Sequence, residues 1–260
     1  MKSARHALRL LSVLAVFGSI PAVAQQAVEK AEPELRGFQL VFLVPNEDFE
    51  PEQGIDEALV RHRFDRAGTA GALYLRNLIK DDVALIAGPL PDHERIQQVI
   101  VIDRETREEV ESVFEHNPSI TTGLMELEIY TWWAPPGVLR KPKDTEVVRT
   151  AYLGMLRRPE KPTDYPAAKL EELQAHHLEH IRRMTESGDL VIAGPVEDRD
   201  LRGILIFHTR EPDRIRELVA QDPLVQAGRL EFELYRWLVP RGSWPRPEQS
   251  TETPDQPNAG

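Results

Sequence analysis

The 260-residue chain has no cysteine. Disulfide staples, a thiol nucleophile and a lipid anchor on cysteine are therefore excluded. Positive charge is short as well: 32 Lys and Arg face 43 Asp and Glu, for a net charge of −11. Past the first ten residues no basic cluster occurs, so the cationic footprint that nucleic acid demands is missing. There is no Gly-x-Ser-x-Gly elbow, no glycine-rich phosphate loop and no dinucleotide fingerprint, so no cofactor is implied. The mostly apolar stretch near the start, Leu10 to Ile20, is short for a bilayer span.

What is present begins with a processing signal. Lys2, Arg5 and Arg9 precede that apolar stretch, and Ala22-Val23-Ala24 follows it as a small-residue cleavage site. Residues 1–24 read as a signal peptide, and the expected location is the periplasm or the outside of the cell. Cleavage removes three of the positive charges and makes the chain still more acidic. A chain of this size and apolar content buries a core without disulfides.

Residues 25–37 are polar and charged and read as a flexible lead-in. A dense apolar run, Phe38 to Val44, predicts a buried strand. A helix over 56–79 follows, with Phe64, Ala67, Gly71, Leu75 and Leu78 as its stripe. Strands are predicted at 83–87 and 98–102, a helix at 106–115 and a strand at 124–133. Residues 136–148, rich in proline and lysine, read as a linker. A strand over 150–156 opens the second half. After it come a helix from about Leu170, a strand ending in Ala193-Gly194-Pro195, another strand, a helix over 213–220 and a last strand ending in aromatics. The tail, 241–260, has a disordered composition.

The two halves repeat each other. Leu85-Ile86-Ala87-Gly88-Pro89 matches the run ending Ile192-Ala193-Gly194-Pro195. The stretch from Gly123 to Pro135 matches that from Gly228 to Pro240 without a gap, Trp132 falling on Trp237 and Tyr130 on Tyr235. In each last strand, apolar residues alternate with glutamates and aromatics. One face should meet helices; the other should line a wet interface or a lumen.

In the second half, Leu170, Leu173, His177, Ile181 and Met184 share one face of a helix, with His177 near its centre. Desolvation there calls for a hydrogen-bond partner. Asp222, just past the next helix, is the candidate. The pair reads in two ways: a general base oriented by a carboxylate, or a buried polar pair bracing the second helix. His176 and His180 are four apart, but this geometry puts both on the solvent side, and no metal site is expected. Gly194 allows either a tight turn or close approach of a ligand. Tyr235 and Trp237 line either a ligand cavity or the interface between repeats. Glu231 and Glu233 read as a solvated face.

These residues resemble the YciI-like (YCII-related) family. The resemblance is carried by His177-Leu178, the Gly188–Pro195 run, the Asp222-Pro223 to Ala227-Gly228 run, and Arg236-Trp237. It covers the halves 38–135 and 149–240 and is more faithful in the second. It implies an α+β fold: two ferredoxin-like βαββαβ repeats paired within one chain as a dimeric α+β barrel. It also implies a site on His177 and Asp222. The first half is degenerate at both positions, which hold Gly71 and Asn117. The expected function is a small-molecule-binding or structural envelope protein. The alternative is a lyase, isomerase or hydrolase acting on a small, aromatic-derived substrate through the His–Asp pair.

Overall fold

A computed structural model of the chain describes residues 34–49 and 56–245. The expected leader, most of the lead-in and the end of the tail lie outside the described residues. In the first half, β1 (Arg36–Pro45) is followed by α1 (Glu57–Lys80), β2 (Ala84–Pro89), β3 (Gln98–Ile102), α2 (Arg107–Phe114), the one-turn α3 (Pro118–Thr121) and β4 (Met125–Ala134). The second half repeats the order with β5 (Val148–Arg157), α4 (Ala167–Glu186), β6 (Leu190–Pro195), β7 (Leu201–Phe207), α5 (Pro212–Val219), the one-turn α6 (Pro223–Gln226) and β8 (Glu231–Pro240).

Each half is a four-stranded antiparallel sheet, ordered β2-β3-β1-β4 and β6-β7-β5-β8. The halves share an irregularity: the register shifts between Ala84 and Ile86 in one and between Leu190 and Ile192 in the other. A β-bulge at the same place in both edge strands turns the following residues alike.

The alternation in the strands decides the layers. Val41, Leu43, Ile100 and Ile102 point outward and bury against Leu75, Leu78 and Ile79 of α1 and Val110 and Phe114 of α2. Leu156, Leu205 and Phe207 do the same beneath Met184 of α4 and Ile215 and Val219 of α5. The inner faces of the two sheets form one continuous core: Phe38, Leu40 and Phe42 from β1, Leu153 and Met155 from β5, with Trp132 and Trp237. At roughly 25 cal/mol per Å² of apolar area removed from water, this shared core is a main source of stability.

The sheets meet edge to edge without closing. Among the described residues a single isolated bridge, Trp132 to Val196, links β4 to the end of β6. The closed barrel expected from the sequence is therefore not formed as a continuous sheet. Proline is one reason: Pro89 and Pro195 end β2 and β6 and have no N–H to offer a ladder. Tryptophan side chains do part of that work instead. Trp132 Nε1 donates to the Gly194 carbonyl at 3.2 Å, and Trp237 Nε1 donates to the Gly88 carbonyl at 3.0 Å. The exchange is reciprocal, as at an isologous contact. Glycine is required at both places, because a Cβ on Gly88 would lie 1.9 Å from Leu238 O and one on Gly194 would lie 1.8 Å from Trp133 O.

Two connecting segments are better packed than their composition predicts. Between β4 and β5, Leu139 is buried in the shared core and the Arg140 N–H donates to Ser243 O at 2.7 Å. The chain past Pro240 has a disordered composition from Arg241 onward, yet Ser243 and Trp244 are buried, because an indole this large finds space beside Arg149. No helix among the described residues is long and apolar enough to cross a membrane.

Candidate functional site

Asp222 is the N-cap of α6. Its Oδ1 accepts the backbone N–H of Leu224 at 2.9 Å and of Val225 at 3.4 Å. Asp-Pro is a favourable local start, since the aspartate caps and the proline at the first helical position gives up no needed donor. Capping with Oδ1 fixes Oδ2, which lies 2.6 Å from His177 Nδ1. The Asp222 side chain is 2% exposed and that of His177 is 12% exposed. A carboxylate can only accept, so Nδ1 carries the proton and Nε2 of the neutral ring keeps its lone pair. The pair thus presents an oriented imidazole nitrogen between α4 and α6. It sits on the helix-covered face of the sheet, remote from the inter-sheet core.

The neighbouring histidine departs from expectation. The stripe puts His180 on the solvent side, but it is buried, and its Nε2–H donates to Leu218 O at 3.0 Å. Residues 173, 177, 180 and 184 also follow helical spacing, and the end of α5 packs on that side of α4. His177 and His180 are therefore two successive ties from α4 to the α5–α6 segment. His176 remains exposed.

A family model for the YCII-related domain matches residues 153–238, a span holding both members of the pair. The second half carries a YCII-related domain. Two solved structures are similar to the chain at low identity. One is a heme-binding protein from Thermus thermophilus: 13% identity, 80% of this chain and 94% of that chain covered, TM-score 0.44. The other is a proposed monooxygenase from Lactobacillus acidophilus: 10% identity, 78% and 93% covered, TM-score 0.40. No curated protein matches the chain.

Outside the YCII-related domain, the corresponding place in the first half is filled differently. Asn117 caps α3 through its Oδ1, which accepts the Ser119 N–H at 2.9 Å. Ser119 Oγ donates to Ala67 O at 3.0 Å, binding α3 to α1. A Cβ on Gly71 would stand 2.5 Å from that hydroxyl. A histidine has no room there, and the serine has taken over the task of joining the helices.

The remaining sequence candidates of the YCII-related domain lie elsewhere. Gly194 and Trp237 belong to the edge contacts described above and pack against the first half. Tyr235 faces the inter-sheet space, where its ring lies 4.5 Å from that of His93. Around it is a polar group that strand and helix periodicity do not reveal, because its members come from the end of β5, from β4 and β8, and from the loop between β2 and β3. Arg157, at the end of β5, donates from Nε to Glu233 Oε2 at 2.7 Å, and Tyr235 lies two residues along β8 from that glutamate. From the first half, Arg95 Nη1 lies 2.6 Å from Glu128 Oε1, and the Tyr130 hydroxyl donates to Glu128 Oε2 at 3.1 Å. Burial and the adjacent Glu128 push the Tyr130 phenol up to about 12. Burial and Glu233 raise Tyr235 likewise. Burial lowers His93, against the opposing pull of Glu233. Its Nδ1 accepts the backbone N–H of Arg95 at 3.1 Å and of Ile96 at 3.0 Å, which fixes its proton on Nε2. Glu233, expected as part of a solvated face, is in fact half-buried and ion-paired with Arg157.

Proposed function

We propose that this chain is a small-molecule-binding protein whose two halves form an intramolecular pseudo-dimer, with a ligand held in the second half at His177. The reading rests on the 2.6 Å contact of His177 Nδ1 with a buried aspartate, which leaves Nε2 as an oriented acceptor at a place the first half has closed. The YCII-related match over both residues supports it, and the reciprocal tryptophan–glycine contacts support the pseudo-dimer. The same nitrogen would serve a lyase, isomerase or hydrolase as general base, with Asp222 holding its tautomer. Lys2, Arg5, Arg9 and Ala22-x-Ala24 support export.

The test is mass spectrometry of the native protein for a co-purifying small molecule, repeated with His177→Gln. Loss of the molecule with little change in melting temperature supports the ligand site. A bracing role has its own support, in His180 and the cap made by Asp222. It predicts a lower melting temperature in His177→Gln and an undiminished load of bound molecule, a result that removes the ligand site. In either case Asp222→Ala costs about 1.5–3 kcal/mol, the range of a charge-assisted bond, and adding His177→Ala recovers part of it.

A further inference from the structure

The two Arg–Glu pairs on the inner faces, each with a tyrosine two residues along the strand, are alike in their acids and tyrosines but not in their cations. Glu128 and Tyr130 of β4 correspond to Glu233 and Tyr235 of β8. Arg157 pairs across the sheet with Glu231, whereas the residue paired with the corresponding Glu126 is Val44, which is fully buried. The inner face therefore has an arginine at the end of β5 where β1 has an apolar side chain. A buried valine would have served packing in both places.

The hydrogen bonds around Arg157 say what the arginine suits. Both oxygens of Glu128 accept, one from Arg95 and one from Tyr130. Glu233 accepts from Arg157. Glu128 and Glu233 are thus each paired with an arginine, while Asp198 and Glu94 add further negative charge around the group. What remains is donor capacity. Arg157 has five N–H donors; among the described residues its Nε goes to Glu233 and one Nη2 donor meets only the weakly accepting Met155 sulfur, at 3.6 Å. His93 holds its proton on Nε2, and its ring packs at a tilt against that of Tyr235. The Arg157 and Glu233 side chains are 30% and 36% exposed, so solvent reaches the group.

We propose that Arg157 and His93, with the rings of Tyr130 and Tyr235 as walls, form a second ligand site between the two sheets that takes a small aromatic carboxylate. The guanidinium N–H groups and the imidazole Nε2–H hold the carboxylate, and the aromatic walls hold the ring. The site draws on both halves and lies across the second sheet from His177, so it stands whether or not the His177 reading does.

The test is isothermal titration calorimetry of the full chain with benzoate as probe and benzamide as its neutral counterpart. Benzoate binds and benzamide binds at least about tenfold more weakly, as expected when a charge-assisted contact is lost. Arg157→Gln weakens benzoate by a similar factor. Arg157→Lys, which keeps a cation beside Glu233 but not the planar fork, weakens it too and guards against a folding defect in the first variant. His177→Gln leaves benzoate affinity unchanged. Absence of benzoate binding, equal affinity for benzamide, or undiminished binding by a folded Arg157 variant overturns the proposal. So does loss of binding in His177→Gln with Arg157 intact.

Discussion

Gly194→Ala is the most direct test of how the two sheets are joined. An alanine Cβ there would lie 1.8 Å from Trp133 O. An ordinary contact begins near 3.4 Å, so the β4 and β6 edges have to part by roughly the difference, and backbone cannot step aside as a flexible side chain would. Parting breaks the bond from Trp132 Nε1 to Gly194 O and strains the bond from the Glu197 N–H to Thr131 O at 2.8 Å. Trp132 is fully buried, so its indole N–H would be stranded, at about 1–3 kcal/mol. Loosened packing of the shared core adds about 1 kcal/mol or more. A total near 2–4 kcal/mol lowers the melting temperature by roughly 5–15 °C for a domain of this size. Gly88→Ala, at the other edge, should cost a similar amount. Gly68→Ala is the control: its Cβ meets nothing within 4 Å on α1, and removing a mid-helix glycine should stabilise by up to about 1 kcal/mol. Thermal and denaturant unfolding followed by circular dichroism measures all three. If Gly194→Ala melts with the parent protein, the close edge contact is not part of the folded state and the reasoning fails.

Two further outcomes are expected. Gly71→Ala should destabilise by driving Ser119 off Ala67, and Gly71→Ala with Ser119→Ala should recover most of the loss; strict additivity of the two would refute the clash. His93 and His208 both have pKa values lowered in the fold, first by burial. The unfolded chain then binds protons more readily than the fold between their folded values and about 6.5, so stability is present above that point and falls as pH drops through it. Unfolding free energy measured from pH 7.5 to 5 should decline, and His93→Gln should flatten the slope.

Much of this was legible in the sequence because the strands and helices obey simple periods. The run Gln98–Ile102 is a strand at the predicted bounds, and β1 differs from the predicted 38–44 only by added residues at its ends. His177 and Asp222 can be paired from sequence because a helical stripe and a helix-ending Asp-Pro are both local signals. His180 is misplaced when the stripe 173-177-181-184 is followed and the equally regular 173-177-180-184 is not. The choice between them depends on where α5 ends in space. The one-turn helices α3 and α6 have no period to display. Arg157, Arg95 and His93 become a group only when two sheets are laid together, and no spacing within one segment encodes that. The barrel is overdrawn from sequence for a related reason: strand pattern shows which face is buried, but not whether the prolines and tryptophans at an edge permit a ladder.

The reciprocal tryptophan bonds between the edges have a consequence through mass action. Two separate subunits holding such a seam would exchange partners, and their association would weaken on dilution. Here both sides of the seam belong to one covalent chain, so their encounter is unimolecular and set by the linker. The unfolding midpoint should not depend on protein concentration, and a single molecule in isolation keeps its fold.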